Sequence, residues 1–146
     1  MRALTIRQPW AGAFFADSNA KDVENRSSAT PYRGPFLIHS GQQVAIEATA
    51  LSTVRQLLGY EPPVGVPRAG AQWALGAVIG VAELVEIHSV EQCRRSCSPW
   101  ALPARAHWRF ANARVLVRPV PAAGKLGPWV PSADLLAEVK RIGFRS

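Results

Sequence analysis

A chain of 146 residues, 48% of them hydrophobic, is long enough to bury a real core and cramped for two domains, so one compact domain over 1–146 is expected. The net charge of +7 makes attraction to a polyanion a reasonable expectation, although basicity also serves solubility. Met1–Trp10 lacks the continuous apolar core of a secretory signal, and the longest uncharged stretch, Ala69–Ala82, is too short and Gly-rich to span a bilayer. A cytoplasmic protein with no membrane partner is expected.

In chain order, Ala3 to Arg7 alternates Leu4 and Ile6 with polar neighbours and predicts a strand stopped by Pro9. Pro9 suits the first turn of a helix carrying Trp10, Phe14 and Phe15 and ending near Asp17–Asn19. Asp22 to Asn25 predicts a short extended segment or a helix-to-strand turn. Pro35 to His39 predicts a second strand, with Phe36 and Ile38 on one side and Leu37 and His39 on the other. Val44, Ala48, Leu51, Val54 and Leu58 recur at helical spacing until Gly59. Glu61 to Gly70 is a Pro/Gly-rich loop.

Ala74 to His88 carries apolar residues on both parities, which predicts a central buried strand, with Gly76 and Gly80 marking a bulge or bend. Glu91 to Ala106 reads as an irregular or short helical connection, and Trp108 to Arg118 as a strand before Pro119. Ser132 and Asp134 open a last helix with Leu135, Leu136, Val139 and Ile142 as its buried stripe and Gly143 as its stop. The fold class is α+β, with strands closing into a small barrel and helices at its edges.

Charge is unevenly spread. Between Gln92 and Ala133 there is no Asp or Glu, while Arg94, Arg95, Arg105, Arg109, Arg114, Arg118 and Lys125 fall there, which suits phosphate contacts with a salt-dependent affinity. Fourteen arginines against three lysines fit bidentate phosphate recognition, but a GC-rich genome is the reading that carries more weight. Cys93 and Cys97, with His88 and His107 on either side, can be drawn as a four-ligand zinc site. One loose cysteine pair and two unpaired histidines fall short of a paired CxxC pattern, so reduced structural thiols are expected, with no metal and no cofactor.

Leu4-Thr5-Ile6-Arg7-Gln8-Pro9-Trp10-Ala11, Lys21-Asp22-Val23-Glu24-Asn25-Arg26-Ser27, Arg33-Gly34-Pro35 with Ile38-His39, Gly76 to Gly80, and Pro119-Val120-Pro121 with Gly124 to Trp129 together resemble the ASCH domain family of the PUA-like superfamily. The resemblance runs over nearly the whole chain. It implies a β-barrel surrounded by helices, with a cleft that binds RNA or a nucleotide-like ligand. Some relatives in that family hydrolyse an acyl amide on a modified cytidine, and others have been assigned ribonuclease activity. This chain departs from the family pattern at Asn19, where a Gly is common, at Ser28, where a Trp is common, and at Glu24, where the amidohydrolase-like relatives carry a hydroxyl residue. Asn still tolerates a left-handed turn.

Lys21, partly desolvated beside Arg26 or Arg7, would have its ammonium form disfavoured, and Glu24 three residues on is placed to orient a water or accept a proton. The plain alternative is a solvent-exposed ion pair worth about 0–1 kcal/mol. Arg7 and Gln8 end the first strand where a helix begins, facing a ligand or merely capping and solvated. His39 alternates with buried Ile38, as a barrel-rim histidine does. Trp129, in a Gly-rich loop, suits base stacking better than Trp10, whose spacing with Phe14 argues for core. With the resemblance, Lys21 and Glu24 are the candidate catalytic pair, and Arg7, Gln8, Trp10, Asn25, Arg26, Arg33, His39 and Trp129 the candidate ligand-binding residues. The expected partner is single-stranded RNA or a modified nucleoside. A small hydrolase and a protein-interaction domain are the alternatives.

Overall fold

The computed structural model of the chain describes residues 1–45, 48–66, 68–89, 91–93, 97–103 and 106–146. Its elements are β1 (Arg2–Gln8), α1 (Trp10–Ala13), β2 (Val23–Arg26), β3 (Gly34–Val44), α2 (Ala48–Leu58), a 3-10 turn at Ala71–Trp73, β4 (Ala77–Ser89), β5 (Ala106–Pro121) and α3 (Ala133–Ile142). This is a mixed α+β arrangement on one five-stranded sheet in the order β1-β3-β4-β5-β2. β1 runs parallel to β3, and the remaining neighbours are antiparallel. β1 and β2 are therefore the edges. No ladder joins them among the described residues, so the sheet does not close there by hydrogen bonds.

β4 lies between β3 and β5, as its two-sided apolar pattern predicts, and it feeds cores on both faces. Ile79, Ala82 and Leu84 join Leu4, Ile6, Phe14, Phe36, Ile38, Trp108 and Phe110. Val78 joins Ala3, Leu37, Leu116, Val120, Trp129 and Val139. Strict alternation would put Val78, Ala82 and Leu84 on one face. Between Val78 and Gly80 the register slips against both β3 and β5, so Ile79 is an extra residue in β4 and the faces exchange there. Val85, which shares parity with Ile79, is exposed as a result.

α1 stops at Ala13, well short of Asp17–Asn19. The Ala13 carbonyl that a longer helix would offer to residue 17 accepts instead from the Lys21 N–H at 2.9 Å, and Asn19 turns the chain back at φ 53°. Val44, expected to open the helical repeat, instead ends β3; α2 begins at Ala48 and ends as expected at Gly59, whose N–H donates to the Arg55 carbonyl, and the side chains of Ala48 and Leu51 lie outside the described residues. Val54 and Leu58 seal a third cluster with Ala13, Val23, Trp73 and Trp100. β5 runs on through Pro119 because β2 pairs with it only as far as Arg109, so the proline removes no ladder bond to β2. Ser132 caps α3 by accepting from the Leu135 N–H at 3.1 Å. No helix among the described residues is long and apolar enough to cross a membrane.

At Gly80 an added Cβ would lie 2.5 Å from the Phe15 ring and 2.6 Å from the Arg114 carbonyl oxygen. Gly80→Ala is expected to destabilise the fold by about 1–3 kcal/mol in urea titration, through overpacking against backbone that has no room to move. Gly41→Ala, whose new methyl meets only Thr5 Cγ2 at 3.5 Å, is the control and should leave the midpoint nearly unchanged.

Candidate functional site

The two sheet edges meet across a cleft. Thr5, Ile6 and Arg7 of β1 and Glu24, Asn25 and Arg26 of β2, with Trp10 and Leu102, line a cavity of about 320 Å³. Thr5, Arg7 and Arg26 also stand in the wall of an adjoining cavity of about 590 Å³, completed by His39, Gly41, Gln42 and the 122–127 segment with Lys125. Three cations thus border the combined space, and Glu24 is the one carboxylate among the described residues lining it.

Lys21 and Glu24 are joined as their spacing suggests, Nζ to Oε1 at 2.6 Å, but not as an exposed pair. The Lys21 side chain is 0% exposed, whereas Glu24 keeps 11%. Lys21 Nζ sits 4.3 Å from the Phe14 ring centroid and 5.9 Å from that of Trp10, so two aromatic rings lie against the ammonium. Glu24 stands between core and cleft: Oε1 takes Lys21, and Oε2 lies 3.7 Å from Arg26 Nη1. Arg26 lies over the Trp108 ring at 5.6 Å.

Burial lowers the Lys21 pKa from its ordinary 10.5, outweighing the Glu24 carboxylate and its hydrogen bond, which act the other way; nearby Arg26 adds to the lowering. Folding therefore releases a proton from Lys21 between that lowered value and 10.5. Because the unfolded chain binds more protons in this window, Lys21 makes stability rise with pH across it, and its burial penalty is present in full below it.

The other polar residues of the Lys21–Arg26 run hold a loop. Asn25 Nδ2 donates to the Trp100 carbonyl at 3.0 Å, and its Oδ1 accepts from the Leu102 N–H at 2.9 Å. Asp22 accepts from Ser98 Oγ, and Trp100 Nε1 donates to the Asn19 carbonyl at 3.0 Å. The loop so held supplies Leu102 to the cleft wall.

His39 is buried and fixed in one tautomer. Its Nε2 donates to the Ala122 carbonyl at 2.7 Å, which leaves Nδ1 to accept from Thr5 Oγ1 at 3.2 Å, and Thr5 Oγ1 accepts in turn from Trp129 Nε1 at 3.1 Å. Burial lowers the His39 pKa below 6.5 against the opposing Ala122 bond, so the ring is neutral near pH 7. Gly124 closes over this chain, where a Cβ would come within 2.6 Å of Thr5 Oγ1 and 2.7 Å of the His39 ring.

Of the residues singled out in the sequence, Arg7, Trp10, Glu24, Asn25, Arg26 and His39 come together around the cleft. Lys21 lies behind Glu24. Gln8 is wholly buried, with Nε2 donating to Gln72 and Ala74 carbonyls and Oε1 accepting from the Gly12 N–H, so it braces the start of α1. Trp129 packs in the core with Val78 and Leu116, its backbone paired to Ala3, and presents no open face to the cleft. Arg33 donates to the Thr30 and Tyr32 carbonyls in an exposed turn outside the cleft walls. Of the basic run, Lys125 borders the cleft, Arg109 pairs with Glu86, and Arg94, Arg95 and Arg105 lie outside the described residues. Thr5, Gln42, Leu102 and Gly124 are site residues without a distinctive signal in the sequence, except that Gly124 opens the Gly-Lys-Leu-Gly run.

No family model matches the chain, and no curated protein matches it.

The Lys21 ammonium signal in NMR, assigned by its loss in Lys21→Arg, is expected to titrate below 10.5. A midpoint at or above 10.5 would contradict the dominance of burial over the Glu24 carboxylate.

Proposed function

We propose that the chain binds single-stranded RNA or a modified nucleoside in the cleft between its sheet edges, as an ASCH-type, PUA-like domain in which β1 and β2 approach to complete a small barrel. The observation that carries this reading is that opposite edges contribute one arginine each, Arg7 and Arg26, to the walls of both cavities. Guanidinium groups from two strands, with Lys125 beyond them, suit a phosphate or a base edge held between them. Trp10 adds aromatic surface in the smaller cavity, large enough for a small polar ligand but not for a duplex.

A hydrolase acting on an acylated cytidine or on single-stranded RNA is the second reading, favoured by the buried cation behind a cleft-facing carboxylate. Glu24 is then the group that meets a water and takes its proton, and Lys21 positions the carboxylate from behind. Absence of product from N4-acetylcytidine and from single-stranded RNA would remove it.

Binding of a short single-stranded RNA should weaken steeply as salt rises, and Arg7→Ala or Arg26→Ala should each reduce affinity and flatten the log–log salt slope by about 0.7. Fluorescence anisotropy across a salt series measures both quantities. Affinity that is absent at low salt, or indifferent to salt and to both substitutions, would rule out RNA in this cleft.

A further inference from the structure

We propose that His88, Cys93, Cys97 and His107 form a structural Zn²⁺ site that clamps the β4–β5 connection. His88 near the end of β4 and His107 near the start of β5 are direct cross-strand partners, which sets the two imidazoles side by side. The connection returns both cysteines to that pair. Cys93 Sγ lies 3.1 Å from His88 Nδ1 and 2.6 Å from Cys97 Sγ, and Cys97 Sγ lies 3.7 Å from His107 Nδ1. The ligating atoms of His88, Cys93 and Cys97 fall within 4.8 Å of one another.

The remote nitrogens decide between a chance cluster and a ligand set. His88 Nε2 lies 3.2 Å from the Glu86 carboxylate, and His107 Nε2 lies 2.6 Å from the Leu102 carbonyl. Each ring thus has an oxygen acceptor for an Nε2 proton, leaving the Nδ1 lone pair directed at sulfur. An oxygen acceptor on the far nitrogen is the arrangement that orients metal-bound imidazoles and strengthens them as donors. Two thiolates and two imidazoles suit tetrahedral Zn²⁺ and fill its coordination, which makes the site structural rather than catalytic. With Zn–S near 2.3 Å and Zn–N near 2.0 Å, tetrahedral ligand atoms stand about 3.3–3.8 Å apart. The sulfurs need to part by about 1 Å to admit the ion; the Cys93–His88 and Cys97–His107 separations of 3.1 and 3.7 Å bracket the required distance, and His107, which stands outside the 4.8 Å group of the other three, has to close in. Binding releases the thiol protons to solvent and leaves both ring Nε2 protons in place.

The site borders the cleft without belonging to it. His107 also lies opposite Asn25 in the β2–β5 ladder, and the Leu102 carbonyl that it engages belongs to a residue of the cleft wall.

The test uses the whole chain, purified under reducing conditions and supplied with Zn²⁺ or Co²⁺ alone. One equivalent of tightly held zinc is expected, together with a tetrahedral Co²⁺ spectrum showing thiolate charge transfer, and Zn²⁺ should displace the Co²⁺. Cys93→Ser and Cys97→Ser should abolish the thiolate band, and His107→Ala should weaken binding. Glu86→Gln, which leaves all four ligands intact, should lower Zn²⁺ affinity about 10- to 100-fold. Wild-type protein that folds with both thiols titratable and takes up neither metal would overturn the proposal. So would a Cys93–Cys97 disulfide that survives reduction, or metal uptake unchanged in the cysteine variants.

Discussion

The buried ion pair between Lys21 and Glu24 is the constraint on which the cleft depends. Removing an ammonium from water costs several kcal/mol, and a partner charge with good geometry that shares the burial offsets part of that cost. Here the partner is 2.6 Å away and lies on β2, the sheet edge farthest in strand order from β1. Lys21 is fixed from its other side by its backbone bond to Ala13, at the end of the helix that follows β1. The pair is local to the segment leading into β2, and that segment is joined to α1, which follows β1, by the Lys21 backbone bond to Ala13 and by the Phe14 and Trp10 rings against its ammonium. The pair also sets the character of the cleft, because a carboxylate committed to a buried lysine presents its remaining oxygen toward Arg26.

Around that pair, polar groups that look like ligand contacts in the sequence divide into two kinds. Asn25 and Asp22 hold the segment containing Ser98, Trp100 and Leu102, and Gln8 holds the turn before β4; their hydrogen bonds are made within the protein. Arg7 and Arg26 line the cleft, one from each edge, with Arg26 held near Glu24 and over the Trp108 ring, and Lys125 extends the positive border. The neutral His39, locked between Thr5 and the Ala122 carbonyl, gives the larger cavity a rigid floor rather than a second charge. Positive groups on a braced frame lower the reorganisation that ligand binding demands.

Much of the succession of elements along the chain was legible in the sequence because periodicity survives wherever burial is two-sided. β4 and the capped ends of α2 and α3 follow directly from their patterns. What periodicity does not carry is a change of phase. The register slip at Val78–Gly80 exchanges the faces of β4, so Val85 emerges to solvent despite sharing parity with Ile79. The early stop of α1 has the same origin, a tertiary bond from Lys21 N–H to Ala13 overriding local spacing. At the site, the Lys21–Glu24 pairing could be read from its i,i+3 spacing, and the left-handed Asn19 from its residue type. Burial of the pair could not, since it depends on Phe14 and Trp10. Trp129 misleads because a Gly-rich loop suggests an exposed ring, whereas its backbone pairing with Ala3 carries the ring into the core.

The proposal that the seam between β1 and β2 is where ligand binds is most directly tested by mapping amide shifts of ¹⁵N-labelled protein as a short single-stranded oligoribonucleotide is added at low salt. The largest changes are predicted at Thr5, Arg7, Glu24, Arg26 and the 124–127 segment, which line the two adjoining cavities. Changes confined to the separate cavity around Asn112 and Arg114, or a spectrum that does not move, would contradict it.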